Sequence, residues 1–207
     1  MNPPTANQAR LLIYGYGNPG RQDDGLGVFL VDRLQPWAAA QGLSHVSFES
    51  SYQLNIEDAL RLLEAEVVVF VDASAAETEP FSFREIRGAG AIPFTTHALA
   101  PEAVLALCQQ LYGRCPVAFL LTLRGLAWEP NQPLSAAAES HLALAERFLA
   151  PWLRRPWDRR APCARRVNRC DPAEVRPSRR KRAQRTPGCP SAQRGTPLGS
   201  DEGDTRG

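Results

Sequence analysis

The chain has no apolar run of the length needed to cross a bilayer; the stretch from Val67 to Val71 is strand-sized. Its first ten residues, MNPPTANQAR, hold no hydrophobic core of the signal-peptide kind. The expectation is a cytoplasmic protein with no membrane partner. Cysteine is sparse and badly spaced for a framework. Cys108, Cys115, Cys163, Cys170 and Cys189 include no C-x-x-C pair, which argues against the familiar zinc and disulfide scaffolds and leaves free thiols as the reading. No Ser–His–Asp or Cys–His arrangement is apparent, so no catalytic nucleophile is assigned.

What is present is ordinary in bulk and uneven in distribution. At 43% hydrophobic and 22% charged, 207 residues suffice for one globular domain with a normal core. The net charge of +2 hides an asymmetry. Residues 1–150 hold 9 Lys+Arg against 16 Asp+Glu, a balance of −7, and residues 151–207 hold 15 against 6, a balance of +9. An acidic body gives no reason to expect nucleic acid on the folded domain. The composition changes at Pro151, beyond which prolines, glycines and arginines dominate and Trp152, Leu153 and Trp157 are nearly the last large apolar residues. Such a segment buries too little surface to offset its chain entropy. The division is therefore a domain over 1–157 and a basic Pro/Arg-rich disordered tail over 158–207. A non-functional extension is preferred for the tail over a basic arm for RNA, DNA or an acidic partner.

Hydrophobic periodicity predicts alternating strands and helices. Leu11–Tyr14, His45–Glu49, Glu66–Val71, Phe81–Ile86 and Val117–Leu123 read as strands. Val28–Leu34, Ile56–Leu63 with Asn55 as N-cap, Pro101–Tyr112 and Ser135–Leu149 read as helices. Strands separated by helices imply a three-layer α/β fold, a twisted, mostly parallel mixed sheet of about five strands flanked by helices on both faces. The gap between Val71 and Phe81 is too short for a helix and suits a hairpin, so one antiparallel neighbour is expected.

The most informative segment is the loop Gly15-Tyr16-Gly17-Asn18-Pro19-Gly20-Arg21-Gln22-Asp23-Asp24-Gly25-Leu26-Gly27, set between a strand and a helix. Gly15, Gly17 and Gly20 match a dinucleotide fingerprint literally. Asp23 and Asp24, however, stand where a pyrophosphate would meet the helix N-terminus and would repel it. The same carboxylates suit a cation. Being adjacent, they point apart in most backbone conformations, so one is expected to face the crevice and the other to cap the following helix. Asp72 closes the strand Val67–Val71, at the end where open α/β sheets hold ligands. His97 lies in the loop that feeds the Pro101 helix. The crevice-facing member of that pair, with Asp72 and His97, would form a three-ligand set for a divalent first-row metal. His45 and His141 lack such context and read as surface residues.

These segments resemble the hydrogenase maturation peptidases. Gly15-Tyr16-Gly17-Asn18 with Arg21-Gln22-Asp23-Asp24-Gly25-Leu26-Gly27 is similar to that family's opening motif, Val71-Asp72-Ala73 to its second, and Thr96-His97-Ala98-Leu99 to its histidine segment. The similarity runs over roughly residues 10–150 in order and spacing. It implies metal contact through Asp24, Asp72 and His97. It implies an endopeptidase, classed by family as aspartic-type, that removes the C-terminal extension of a nickel–iron hydrogenase large-subunit precursor. The nickel would be carried by that substrate, other divalent metals being possible substitutes, and a monomer is expected. Two mechanisms stay open, a metal that polarises the scissile carbonyl or activates water, and a trio that only docks the substrate's nickel. The alternatives in other classes are a nickel-dependent assembly chaperone without peptidase activity and a dinucleotide-binding enzyme using Gly15, Gly17 and Gly20.

Overall fold

Apolar side chains at every second position of a strand fall on one face, and here both alternations are apolar. Leu11 and Ile13 with Val67, Val69 and Val71 serve one core cluster, while Leu12 and Tyr14 with Val68 and Phe70 serve another. A strand that is buried on both faces needs cover on both, as a parallel sheet in an α/β protein has. The computed structural model describes residues 10–88 and 99–155 and has this architecture. Strands β1 (Leu11–Tyr16), β2 (Val46–Ser51), β3 (Val67–Ser74), β4 (Phe81–Ile86) and β5 (Val117–Arg124) form one sheet in the order β2-β1-β3-β5-β4. Helices α1 (Leu26–Ala40) and α4 (Ala136–Leu153) cover one face through Leu26, Leu30, Leu34, Leu142 and Leu149. Helices α2 (Asp58–Arg61) and α3 (Pro101–Tyr112) contribute Ala59, Val104, Leu105 and Leu107 to the core on the other. The three-layer mixed sheet is thus as expected.

The hairpin is not. β4 is antiparallel, but it pairs with β5 rather than with β3, in the register Phe81↔Leu123 to Ile86↔Ala118. β5 pairs parallel with β3 along its whole length and so stands between the two sequence neighbours. Burial explains the choice, since Phe119, Leu121 and Leu123 are almost fully buried and need a central position, whereas β4 exposes Arg84 and Glu85 as an edge strand can.

Other local expectations also shift. The helix expected over 56–63 is only Asp58–Arg61 followed by a 3-10 turn at Leu62–Glu64. Asn55 does not cap it; the Asn55 backbone N–H instead donates to Asp58 Oδ2 at 2.7 Å. Ser135 does cap α4, its hydroxyl accepting from the Ala138 N–H at 3.1 Å. Pro151 falls inside the last turn of α4, and Trp152 beyond it packs edge-on against Phe83 and Phe119, each with ring centroids 5.4 Å away. His45 is buried, its Nε2 3.3 Å from the Leu153 carbonyl, and His141 is half-buried with Nδ1 2.9 Å from the Arg124 carbonyl, so neither is a surface histidine. The tail from residue 158 lies outside the described residues. Among the described residues no helix is long and apolar enough to cross a membrane.

Candidate functional site

In the sheet order β2-β1-β3-β5-β4 the chain leaves β1 in opposite directions, to β2 on one side and to β3 on the other. Such a switch point opens a crevice at the carboxyl ends of the two strands, where open α/β sheets bind ligands. The chain puts its acidic loop there. β1 ends at Tyr16, the glycine loop follows, and a 3-10 turn over Gln22–Gly25 carries Asp23 and Asp24 before α1 begins.

The two adjacent aspartates part company, as expected of neighbours, but the inner one is no helix cap; neither the 3-10 turn nor α1 has a side-chain cap. Asp23 is fully buried. Its Oδ2 accepts from the backbone N–H groups of Leu126 at 2.8 Å and Ala127 at 3.0 Å and from the Ser135 hydroxyl at 2.8 Å, and Oδ1 accepts from the Ser135 N–H at 2.8 Å. Burial alone would raise this carboxyl, but the hydrogen bonds from Ser135, Leu126 and Ala127 outweigh it and hold it below the usual carboxylate range. Further bonds run beside it, from Asp23 N–H to the Ala127 carbonyl at 3.1 Å, from Asn131 N–H to the Gly20 carbonyl at 2.8 Å, and from Glu129 N–H to Gln22 Oε1 at 3.1 Å. Asp23 therefore ties the loop after β5 to the loop after β1 and makes a rigid rim.

Asp24 is half-buried beside Asp23 on the same turn, and Asp72 lies at the carboxyl end of β3. Asp72 lies on β3 rather than after it, abreast of Thr122 on β5. Burial raises its carboxyl, bonds from the Tyr16 hydroxyl and the Ala73 N–H draw it back, and the charge of Asp24 raises it again, to about 6. Asp24 is thus close enough to Asp72 to be felt electrostatically. The Tyr16 hydroxyl donates to Asp72 Oδ2 at 2.9 Å, and the Ala73 N–H to Oδ1 at 2.8 Å. Register lines up Ser51, Tyr16, Asp72, Thr122 and Ser82 across the strands, a polar row closing the apolar sheet face. His97 lies outside the described residues, and among those described no group of three His, Cys, Asp or Glu side chains is placed to hold a metal. Of the expected trio, the described residues show only that the charge of Asp24 acts on Asp72.

The glycines have an internal explanation. A Cβ on Gly17, whose φ is +134°, would stand 2.0 Å from the Asp24 carbonyl oxygen, and one on Gly15 would stand 2.1 Å from that of Gly27. The space a side chain would fill is occupied by the protein's own backbone. The Gly17 N–H donates to the Ser51 carbonyl at 3.1 Å and the Gly20 N–H to Asn18 Oδ1 at 2.9 Å, so these amides are not free to cradle a pyrophosphate. Tyr16 is the functional-site residue that sequence reasoning missed. Its signal was available, since Gly15 and Val71 are in register and the next residue on each strand is Tyr16 and Asp72.

A five-stranded α/β sheet with an acidic crevice at its switch point defines the class by architecture. Among solved structures, the chain is similar to the nickel–iron hydrogenase maturation protease HycI from Thermococcus kodakarensis, at 20% identity over 72% of this chain and 96% of that one, with a TM-score of 0.56. It is also similar to the hydrogenase 2 maturation peptidase of a thaumarchaeote, at 24% identity over 70% and 97% of the two chains with a TM-score of 0.52. The hydrogenase maturating endopeptidase HybD from E. coli matches at 19% identity over 70% and 92%, with a TM-score of 0.51. At these identities the likeness establishes the fold. No family model and no curated protein matches the chain.

Proposed function

We propose that this chain is an endopeptidase that removes the C-terminal extension of a nickel–iron hydrogenase large-subunit precursor already loaded with nickel. The observation that carries the reading is a half-buried Asp72, acted on by the charge of Asp24, at the carboxyl end of β3 in a fold shared with hydrogenase maturation proteases. A desolvated carboxylate beside a like charge is costly while both are ionised, and a divalent cation offsets that cost. Two carboxylates joined by the His97 imidazole make a mixed oxygen and nitrogen donor set that suits nickel or a related divalent ion. In this reading the nickel arrives with the substrate, the precursor is the partner, and the enzyme works as a cytoplasmic monomer. A metal bound here supplies Lewis acidity toward a nearby carbonyl. Asp24, Asp72 and His97 orient the precursor, Asp23 keeps the rim rigid, and no side chain is assigned as nucleophile.

The test incubates the full chain with nickel-loaded precursor and follows precursor mass by intact mass spectrometry. Loss of a C-terminal peptide is expected. His97→Ala should abolish it while changing stability by about 1 kcal/mol or less, because the sequence sets His97 outside the apolar runs that build the core. Stable binding of a precursor whose mass never changes would instead make the chain an assembly chaperone. A titration with dinucleotide should give no binding.

A further inference from the structure

The geometry points to Tyr16 as a positioning residue that holds Asp72 for metal contact. This inference rests on the metal-site reading above and adds a residue to it. Tyr16 ends β1 and Asp72 sits in the adjacent β3, one step beyond the Gly15↔Val71 pair. Side chains at matched positions of parallel neighbours project from the same face, and the tyrosine hydroxyl reaches Asp72 Oδ2 at 2.9 Å. The Ala73 N–H takes the other oxygen, Oδ1, at 2.8 Å. With one donor on each oxygen the carboxylate cannot turn about its terminal bond without losing a hydrogen bond. Its remaining lone pairs then face a fixed direction, the requirement for a ligand that must meet an incoming ion.

The ring is itself fixed. Tyr16 packs against the core cluster under α2 and α3. Glu102, in the first turn of α3, and Arg84, on β4, both act on it electrostatically and are ion-paired at 3.1 Å, so the phenol faces a nearly neutral pair on that side. Phenylalanine at this position would keep the packing and lose only the hydrogen bond.

The experiment uses nickel ion alone as probe, with the full chain, by isothermal titration calorimetry beside a thermal melt. Tyr16→Phe should lower nickel affinity about tenfold, the lower end of the range for losing an outer partner of a ligand, with the melting temperature nearly unchanged. Asp72→Asn should weaken binding by itself, and adding Tyr16→Phe to it should cost nothing further, because the phenol acts through that carboxylate. Unchanged affinity in Tyr16→Phe, or a loss that simply adds to that of Asp72→Asn, would overturn the role of Tyr16 and leave the metal site standing. Failure of the wild-type chain to bind nickel would overturn the metal-site reading itself.

Discussion

The Tyr16 hydroxyl donates to Asp72 Oδ2 at 2.9 Å and joins the C-terminal ends of the two strands that flank the switch point. The bond does not restore Asp72 to an ordinary acid, since burial and the charge of Asp24 carry its pKa to about 6.

A pH dependence follows. Below the unperturbed value of 3.8 Asp72 is protonated in both folded and unfolded chains and costs nothing. Between that value and about 6 the folded chain holds a proton that the unfolded chain has released, so the contribution falls as pH rises through the window. Urea denaturation of the metal-free chain from pH 4 to pH 8 should show up to about 3 kcal/mol of this loss. Asp72→Asn should flatten that part of the profile, and an unaltered slope would show that Asp72 titrates normally.

Asp23 should act with the opposite sign and in a lower window. Its folded pKa is depressed, so its stabilisation is complete above the ordinary carboxylate range and is lost as pH falls through the folded value. Asp23→Ala removes the acceptor of the part-buried N–H groups of Leu126, Ala127 and Ser135. The expected cost is about 3 kcal/mol or more, read by urea denaturation at pH 7. A loss under about 1 kcal/mol would mean that water reaches these groups.

The glycine loop can be tested without reference to any ligand. Gly17→Ala should destabilise by more than about 2 kcal/mol, because both the φ of +134° and the Asp24 carbonyl oppose a side chain. Gly42 also has a positive φ, +69°, but open space around it, so Gly42→Ala should cost only about 1 kcal/mol of backbone strain. Thermal melts of the two variants give the comparison, and equal costs would reject close packing as the reason for Gly17.

The boundary of the folded part makes the fourth prediction. Truncation after Trp157 should leave the melting temperature unchanged, as the tail's composition implies. Trp152→Ala should cost about 3–5 kcal/mol, since its ring packs on Phe83 and Phe119. Unfolding of the truncated chain would show that residues after 157 take part in the core.

Much of this was legible in the sequence because it is local. β1, β3 and β5 follow from short apolar runs, β2 and β4 from a side-chain period of two and the longer helices from one near 3.6, and Ser135 is a cap that residue chemistry announces. What escaped depends on partners far along the chain. Nothing near Phe81 says that β5 will insert beside β3, and nothing beside Asp23 says that its oxygens will be taken by Leu126, Ala127 and Ser135. Tyr16 looked like a spacer between glycines because its hydrogen bond reaches another strand. His45 looked exposed because the carbonyl beside it belongs to Leu153, at the end of α4.

The insertion of β5 between β3 and β4 also governs the order in which the sheet can assemble. β4 emerges from the chain next to β3 yet, among the described residues, has no ladder with it and pairs only with β5, which follows α3. No local hairpin is available to nucleate this half of the molecule, so β4 must wait for a docking event of long sequence separation, a slow step in folding. A nascent chain released before Arg124 would therefore carry Phe81 and Phe83 on an unpaired strand, a state in which a newly made copy is open to association with others.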